Sequence, residues 1–345
     1  MLRPVLFIAL WFVIGCSSTP RKNIVVYSPH GKEMLRAFEL EFESTHPGVD
    51  VQWLDMGSQD AYDRIRTERE NPQADIWWGA PSTAFASAEA ESLLEHYEPS
   101  WAATIPQESK SSGGYWFGTF LTPEVIMYNN RRITEAEAPK DWDDLLDPKW
   151  KDKIIIRYPL ASGTMRIIYS ALIQREAART GNPDAGFLWL QRLDANTKTY
   201  VADPTQLYLK IGREEGLVSL WNLPDVVIQT KTNGYPFGYI VPKSGTPVIT
   251  DCIAIVRGTN VRVEAEMFYE FVTSKEALVR QANEFFRIPA RTDIPSADLP
   301  DWIRTLALTP MPLDWVSLAT NEKMWMKRWD EEVKGTGKHL TQVNP

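Results

Sequence analysis

Three short stretches set small hydroxyl residues beside glycine or proline: Ser28-Pro29-His30-Gly31, Pro81-Ser82-Thr83 and Ser162-Gly163-Thr164. A fourth, Gly57-Ser58-Gln59, has the same character. Each precedes a pattern with helical spacing, so each is expected at a helix amino terminus. There several backbone N–H groups lack an intrahelical acceptor, and the helix dipole adds partial positive charge. Glycine lets the main chain approach a ligand, and serine or threonine adds a hydroxyl donor. Together they can bind phosphate, carboxylate or sulfonate without a lysine. The same residues are also ordinary helix caps, and for any single turn both roles stay open.

Other chemistry is thinly represented. The chain has no Gly-x-Ser-x-Gly elbow, no His-Glu-x-x-His, no Gly-x-x-x-x-Gly-Lys-Ser/Thr loop and no Cys-x-x-Cys. Its four histidines, at 30, 46, 96 and 339, are scattered, which argues against zinc. Asp143 and Asp144 are adjacent and would face apart on a helix. No enzyme, metal or cofactor is expected.

The turns need strands to carry them. Asn23–Ser28 reads as a strand, and the helix after it has Met34, Leu35, Phe38 and Phe42 on one face. Val49–Leu54 and Ser58–Arg69 read as the next strand and helix. Ala74-Asp75-Ile76-Trp77-Trp78 and the helix from Pro81 form a third pair. Three such units predict a parallel, doubly wound α/β sheet, whose ligands bind at the carboxyl ends of its strands. Trp77 and Trp78 must face opposite sides of their strand, so at most one reaches a cleft. Further strands are predicted at 115–120, 125–128, 153–157, 225–229, 238–241 and 248–256. Helices are predicted from Ser162 to Arg179, Asp184 to Leu193, Thr205 to Glu215 and Val263 to Thr273, with a helical tail over 296–332.

The first residues are set apart. Arg3 precedes the ten-residue apolar core Val5–Ile14, too short to cross a bilayer as a helix. Residues 1–15 are therefore expected to be a signal peptide, with 16–23 as a tether. Val13-Ile14-Gly15-Cys16 resembles a bacterial lipobox, with Cys16 as the lipidated residue. The only other cysteine, Cys252, lies in an apolar run and is expected to be buried. A net charge of −8 and the lack of a basic run argue against nucleic acid. Some 330 residues after the leader exceed one comfortable core, so two lobes are expected.

With these residues in view, the chain resembles bacterial extracellular solute-binding proteins of the ferric-iron/AfuA-like group. The resemblance rests on Ile24–Ser28, Ala74–Gly79, Ile126-Met127-Tyr128-Asn129, Asp141–Trp150, Pro159–Thr164, Pro242–Gly245 and Phe268-Tyr269-Glu270-Phe271. It implies a two-lobed periplasmic-binding-protein type 2 fold, with a mixed sheet flanked by helices in each lobe. Lobe one would comprise 24–118 plus 246–290, and lobe two 119–245 plus 291–345. It further implies a small anionic solute captured between the lobes, an ABC permease as partner and a monomer, while the lipobox-like Val13–Cys16 implies a lipid anchor on the periplasmic or extracellular face. Iron-binding members carry adjacent tyrosines in lobe two. This chain instead has Trp221, Asn222 and Asp225 in that region, and these join the candidate ligand residues. Tyr200, Tyr208, Tyr235 and Tyr239 remain as single tyrosines, and His30 stands where iron binders place a histidine. A phosphorylated sugar or phosphonate is the leading expectation. Ferric iron and a ligand-presenting sensor role are the alternatives.

Overall fold

The computed structural model describes residues 21–337. The expected leader, Cys16 and most of the tether lie outside the described residues. The first part of the chain alternates strand and helix: β1 (Lys22–Ser28), α1 (Lys32–Thr45), β2 (Val49–Asp55), α2 (Ser58–Thr67), β3 (Ile76–Pro81) and α3 (Ser82–Ala90). Met34, Leu35, Phe38 and Phe42 are buried, so the 3.6-residue period of α1 marks its inner face.

The chain continues through β4 (Phe117–Asn129), β5 (Ile154–Arg157), α4 (Gly163–Thr180), α5 (Asp184–Asn196), β6 (Thr197–Val201), α6 (Pro204–Gly212), β7 (Val218–Asn222), α7 (Leu223–Lys231) and β8 (Phe237–Ile240). It returns through β9 (Val248–Ile255), α8 (Arg262–Val272), α9 (Lys275–Glu284) and β10 (Ile288–Pro289), and ends in α10 (Asp301–Arg304) and α11 (Trp315–Arg328). The strands lie in the order β2-β1-β3-β9-β4-β7-β5-β6, with β10 and β8 pairing with different parts of β4. β1 is parallel to β2 and β3, and β5 is parallel to β6 and β7, while β4 and β9 run antiparallel to their neighbours.

β4 and β9 join two halves. From Phe117 to Pro123, β4 pairs with β9; from Glu124 onward it pairs with β7 and β8. What reads as two strands around Leu121–Glu124 is thus one strand of 13 residues. Pro123 has no N–H to offer, which suits the point where the ladder changes partners.

Two other expectations are corrected. Residues 225–229 are helical, not a strand: Asn222 caps α7 by accepting from the Asp225 N–H at 2.9 Å, and Pro224 sits in its first turn. These start signals outweigh the β-branched run Val226-Val227-Ile228. The tail over 296–332 is only partly helical; residues 305–314 separate the short α10 from α11.

The first half packs Phe38, Phe42, Trp78 and Phe268 together, and the second gathers Trp142, Tyr169, Leu172 and Trp329. α11 lies against α4 of the second half and also reaches α3 of the first. Its Leu318 is buried with Ile167 of α4 and Ile249 of β9. Cys252 is buried and free, and burial holds its thiol far above the usual range.

Candidate functional site

All four hydroxyl-rich turns lie where strands end and helices begin, and most of their polar groups are already used. Ser28 is fully buried at the end of β1, and its hydroxyl accepts from the His30 N–H at 3.3 Å. The Gly31 and Lys32 N–H groups, at the mouth of α1, face the carboxylate of Asp55 at the end of β2. In α2, Gln59 donates to Asp63 one turn on, at 3.0 Å. At α3, Thr83 donates to Glu322 of α11 at 3.2 Å. Ser162 caps α4 by accepting from the Met165 N–H at 3.3 Å. Thr164 and Ser82 are half-buried in the first turns of their helices.

The turns of the two halves meet. A Cβ placed on Gly163 would stand 2.9 Å from Pro81 Cδ and 3.2 Å from Ser58 Cβ. Glycine at 163 therefore lets the mouth of α4 rest directly on the mouths of α2 and α3. Next to this contact, Glu322 also accepts from Arg166 of α4 at 3.5 Å, so α11 touches both halves with one carboxyl group.

Behind these turns lies a cluster of buried charge. Arg157, the last residue of β5, is 5% exposed. One of its N–H groups donates to the Ala161 carbonyl at 3.1 Å, while Nε and Nη1 find no partner among the described residues. Arg287, 6% exposed, lies just before β10, over the Phe120 ring at 5.2 Å, with its Nη2 3.8 Å from Asp225 and its Nε unpartnered. Tyr208 of α6 lies within electrostatic reach of both arginines; its hydroxyl donates to Asp225 at 3.2 Å and accepts from Trp221 Nε1 at 3.0 Å. Burial and the Asp225 charge push the Tyr208 phenol far up, so it stays a neutral donor.

His30 packs between Trp78 and Phe120, at ring separations of 5.4 and 4.8 Å. Burial, with Arg287 nearby, holds its imidazole neutral, and Nε2 has no partner among the described residues. The close fit requires Gly79, which has φ +99° and whose Cβ would come within 2.2 Å of the ring. On the adjoining crossing strands, Glu124 is fully buried with both carboxyl oxygens unpartnered. Thr122 donates to Asp251. Burial lifts both acids: Glu124 rises well above the carboxylate range and Asp251 reaches about 6. Hollows on the outer surface, one beside Tyr128 and Tyr239 and one beside Arg132 and Glu214, contain none of these residues.

The fold, two α/β halves joined by crossing strands, has counterparts. Residues 40–309 match the family described as bacterial extracellular solute-binding protein. The chain belongs to that family. This solute-binding protein is 28% identical over 315 residues to a probable ABC transporter periplasmic-binding protein of Sinorhizobium fredii, covering 90% of this chain and 87% of the other. It is 26% identical over 338 residues to a putative 2-aminoethylphosphonate-binding periplasmic protein of Salmonella typhimurium, covering 94% and 93%. Its fold is that of the two-lobed periplasmic binding protein AfuA from Actinobacillus pleuropneumoniae, solved with fructose-6-phosphate, at a TM-score of 0.78 and 24% identity over 91% of this chain and 99% of that one. The family assignment makes the protein a periplasmic or extracellular binding protein that delivers its solute to an ABC transporter. No described helix is long and apolar enough to cross a membrane.

The structure of this solute-binding protein brings Ser28, His30, Asn222 and Asp225 to the charged cluster and sets Ser58, Pro81, Ser162 and Gly163 at the contact between halves. Trp221 lies in the core and reaches the cluster only through Tyr208. Trp77 and Trp78 are both fully buried, Trp77 stacked on Phe85 at 3.9 Å and Trp78 edge-on to His30. Of the four single tyrosines, Tyr208 alone touches Asp225; Tyr200 donates to Asp194 beside Trp329. Arg157, Arg287, Glu124 and Asp251 were not singled out from the sequence. One signal was available: Arg157 ends the apolar run Ile154-Ile155-Ile156, and an arginine closing a buried strand needs a partner.

Proposed function

We propose that the protein captures a small solute bearing a phosphate or phosphonate group, and that Arg157 and Arg287 hold that group between the lobes. The observation that carries this reading is the pair of buried guanidinium groups with N–H donors to spare. Leaving buried donors unmade costs about 1–3 kcal/mol each, more for charged groups, and planar guanidinium donors match tetrahedral oxyanions. Ser162, Gly163 and Thr164 close over the site from α4. We place lobe one at 24–118 plus 246–290 and lobe two at 119–245 plus 291–345, with β4 and β9 as the crossing segments. We also propose that Cys16 carries the lipid anchor and that the protein acts as a monomer without enzymatic activity.

Ferric iron is the weaker reading. It favours several hard oxygen ligands at one point, which iron-binding members supply with adjacent tyrosines, and this chain has no two tyrosines adjacent. The test is mass spectrometry of the solute released from purified, denatured protein. A phosphate monoester or phosphonate is expected. Iron, or an uncharged solute, would contradict the proposal.

A further inference from the structure

Resting on that reading of the arginines, we propose that Glu124 and Asp251 form a second subsite in the same cleft, one that takes a positively charged amine. The solute is then a short zwitterion of the aminoalkylphosphonate kind rather than a sugar phosphate.

The geometry comes from one strand. Alternate residues of a strand share a face, so Phe120, Thr122 and Glu124 of β4 point the same way. The Phe120 ring carries His30 and Arg287. Thr122 donates to Asp251 of β9. Glu124 lies directly opposite Asn222, which caps α7 and donates to Asp225 at 2.9 Å. A single strand face thus runs from a cationic end to an acidic one.

The four acids of the cleft differ in what they already have. Asp55 faces the N–H groups of α1. Asp225 is held by Asn222, Tyr208 and Arg287. Asp251 has the Thr122 hydroxyl and the more distant charge of Arg287, with Asp225 opposing. Glu124 has nothing among the described residues, and Asp251 and Asp225 both face it as like charges. A fully buried carboxyl group without a partner is costly, and such exceptions in native structures need an explanation. A cation supplied by the ligand is one, and it would let Glu124 ionise beside Asp251 and Asp225.

The proposal has a proton signature. Burial and its acidic neighbours keep Glu124 protonated in the empty cleft. An ammonium group stabilises the ionised form, so its arrival expels the proton into solvent. A sugar hydroxyl would bond to the neutral acid and leave the proton in place.

The experiment is calorimetry on the full chain, stripped of solute by unfolding and refolding. 2-Aminoethylphosphonate, ethylphosphonate and fructose-6-phosphate are titrated in buffers of different ionisation enthalpy. One charge-assisted hydrogen bond predicts that the amine improves affinity roughly tenfold to a hundredfold over ethylphosphonate, with release of about one proton beyond what the ionisation of its phosphonate accounts for. Glu124→Gln should bring the ratio between the two phosphonates close to one and remove that extra proton release. Asp251→Asn should reduce the ratio in the same direction, which keeps the test standing if either variant folds poorly. Equal affinity for the two phosphonates would overturn the proposal, as would an amine advantage that survives both substitutions. Tighter binding of fructose-6-phosphate, with no proton released beyond that of its phosphate, would overturn it too. If ethylphosphonate binds and needs Arg157 while the amine adds nothing, the amine subsite alone falls. If none of the three ligands binds, the arginine reading falls with it.

Discussion

The hydroxyl-rich helix mouths and the charged face of the crossing strands lie side by side in this protein, and they treat their polar groups in opposite ways. At the mouths, Ser162 bonds its own helix, Thr83 bonds Glu322, and the α1 N–H groups face Asp55. On and beside the strand face, Glu124, His30, Arg157 and Arg287 are buried with polar atoms left over. Satisfied groups fix the shape of a site and keep the two halves in contact. Unsatisfied buried groups are where a ligand gains the most, because nothing else has met their need.

The largest expected difference between the two regions is in affinity. Arg157→Met and Arg287→Met should each weaken ethylphosphonate binding by at least about a hundredfold, since each removes more than one charge-assisted contact. Ser82→Ala and Gln59→Ala, at the mouths, should change it by less than about threefold. Without ligand, Arg157→Met should melt at or above the parent temperature, because it removes a buried charge with unmet donors. Calorimetry and melting curves on the four variants check all three statements, and a mouth variant as damaging as an arginine variant would erase the comparison.

Next comes the contact between mouths. Gly163→Ala puts a Cβ against Pro81 and Ser58, so it should hold the lobes apart and weaken binding about tenfold. Gly163→Asp should cost somewhat more, since its larger side chain opens the same contact further. Small-angle scattering in the presence of ligand should show a larger radius of gyration for both variants, with melting little changed. A radius equal to the parent's would mean the contact does not govern closure.

The smallest effect is on stability with pH. Glu124 and Asp251 both have folded-state values raised by burial, so the folded protein binds protons more tightly than the unfolded chain. That stabilisation is complete below the unfolded carboxylate range and is lost as pH rises through the folded values. For Asp251 the window runs from the ordinary carboxylate range to about 6. The ligand-free protein should therefore melt higher at the acidic end of that window than at neutral pH. Glu124→Gln should flatten the dependence, and an unchanged slope would show that Glu124 is ionised in the empty protein.

How far the sequence revealed this molecule follows the same division. The alternation β1-α1-β2-α2-β3-α3 was legible because apolar spacing and the turns at Pro29, Gly57 and Pro81 mark each boundary. β4 read as two strands because Pro123 falls at the partner change, and α7 read as a strand because Val226-Val227-Ile228 hides the cap at Asn222. Helix mouths announce themselves through local composition, so Ser28, Ser58, Ser82 and Ser162 were found. Arg157 and Arg287 lie 130 residues apart in sequence, and neither sits in a motif. Glu124 is one acid among the chain's 45 acidic residues, and its burial is decided by β7 and β9, not by its neighbours in the chain.

The contact between arginine and oxyanion can be read from the ligand itself. Phosphorus-31 resonance of ethylphosphonate reports its second ionisation, which falls near neutral pH in free solution. Held by two buried guanidinium groups, the bound phosphonate should stay doubly charged from about pH 5.5 to 8.5, with a chemical shift that does not move. In Arg157→Met, any bound signal should regain its titration. A phosphonate that titrates in the parent protein as it does in free water would contradict the claim that Arg157 and Arg287 hold the acidic group.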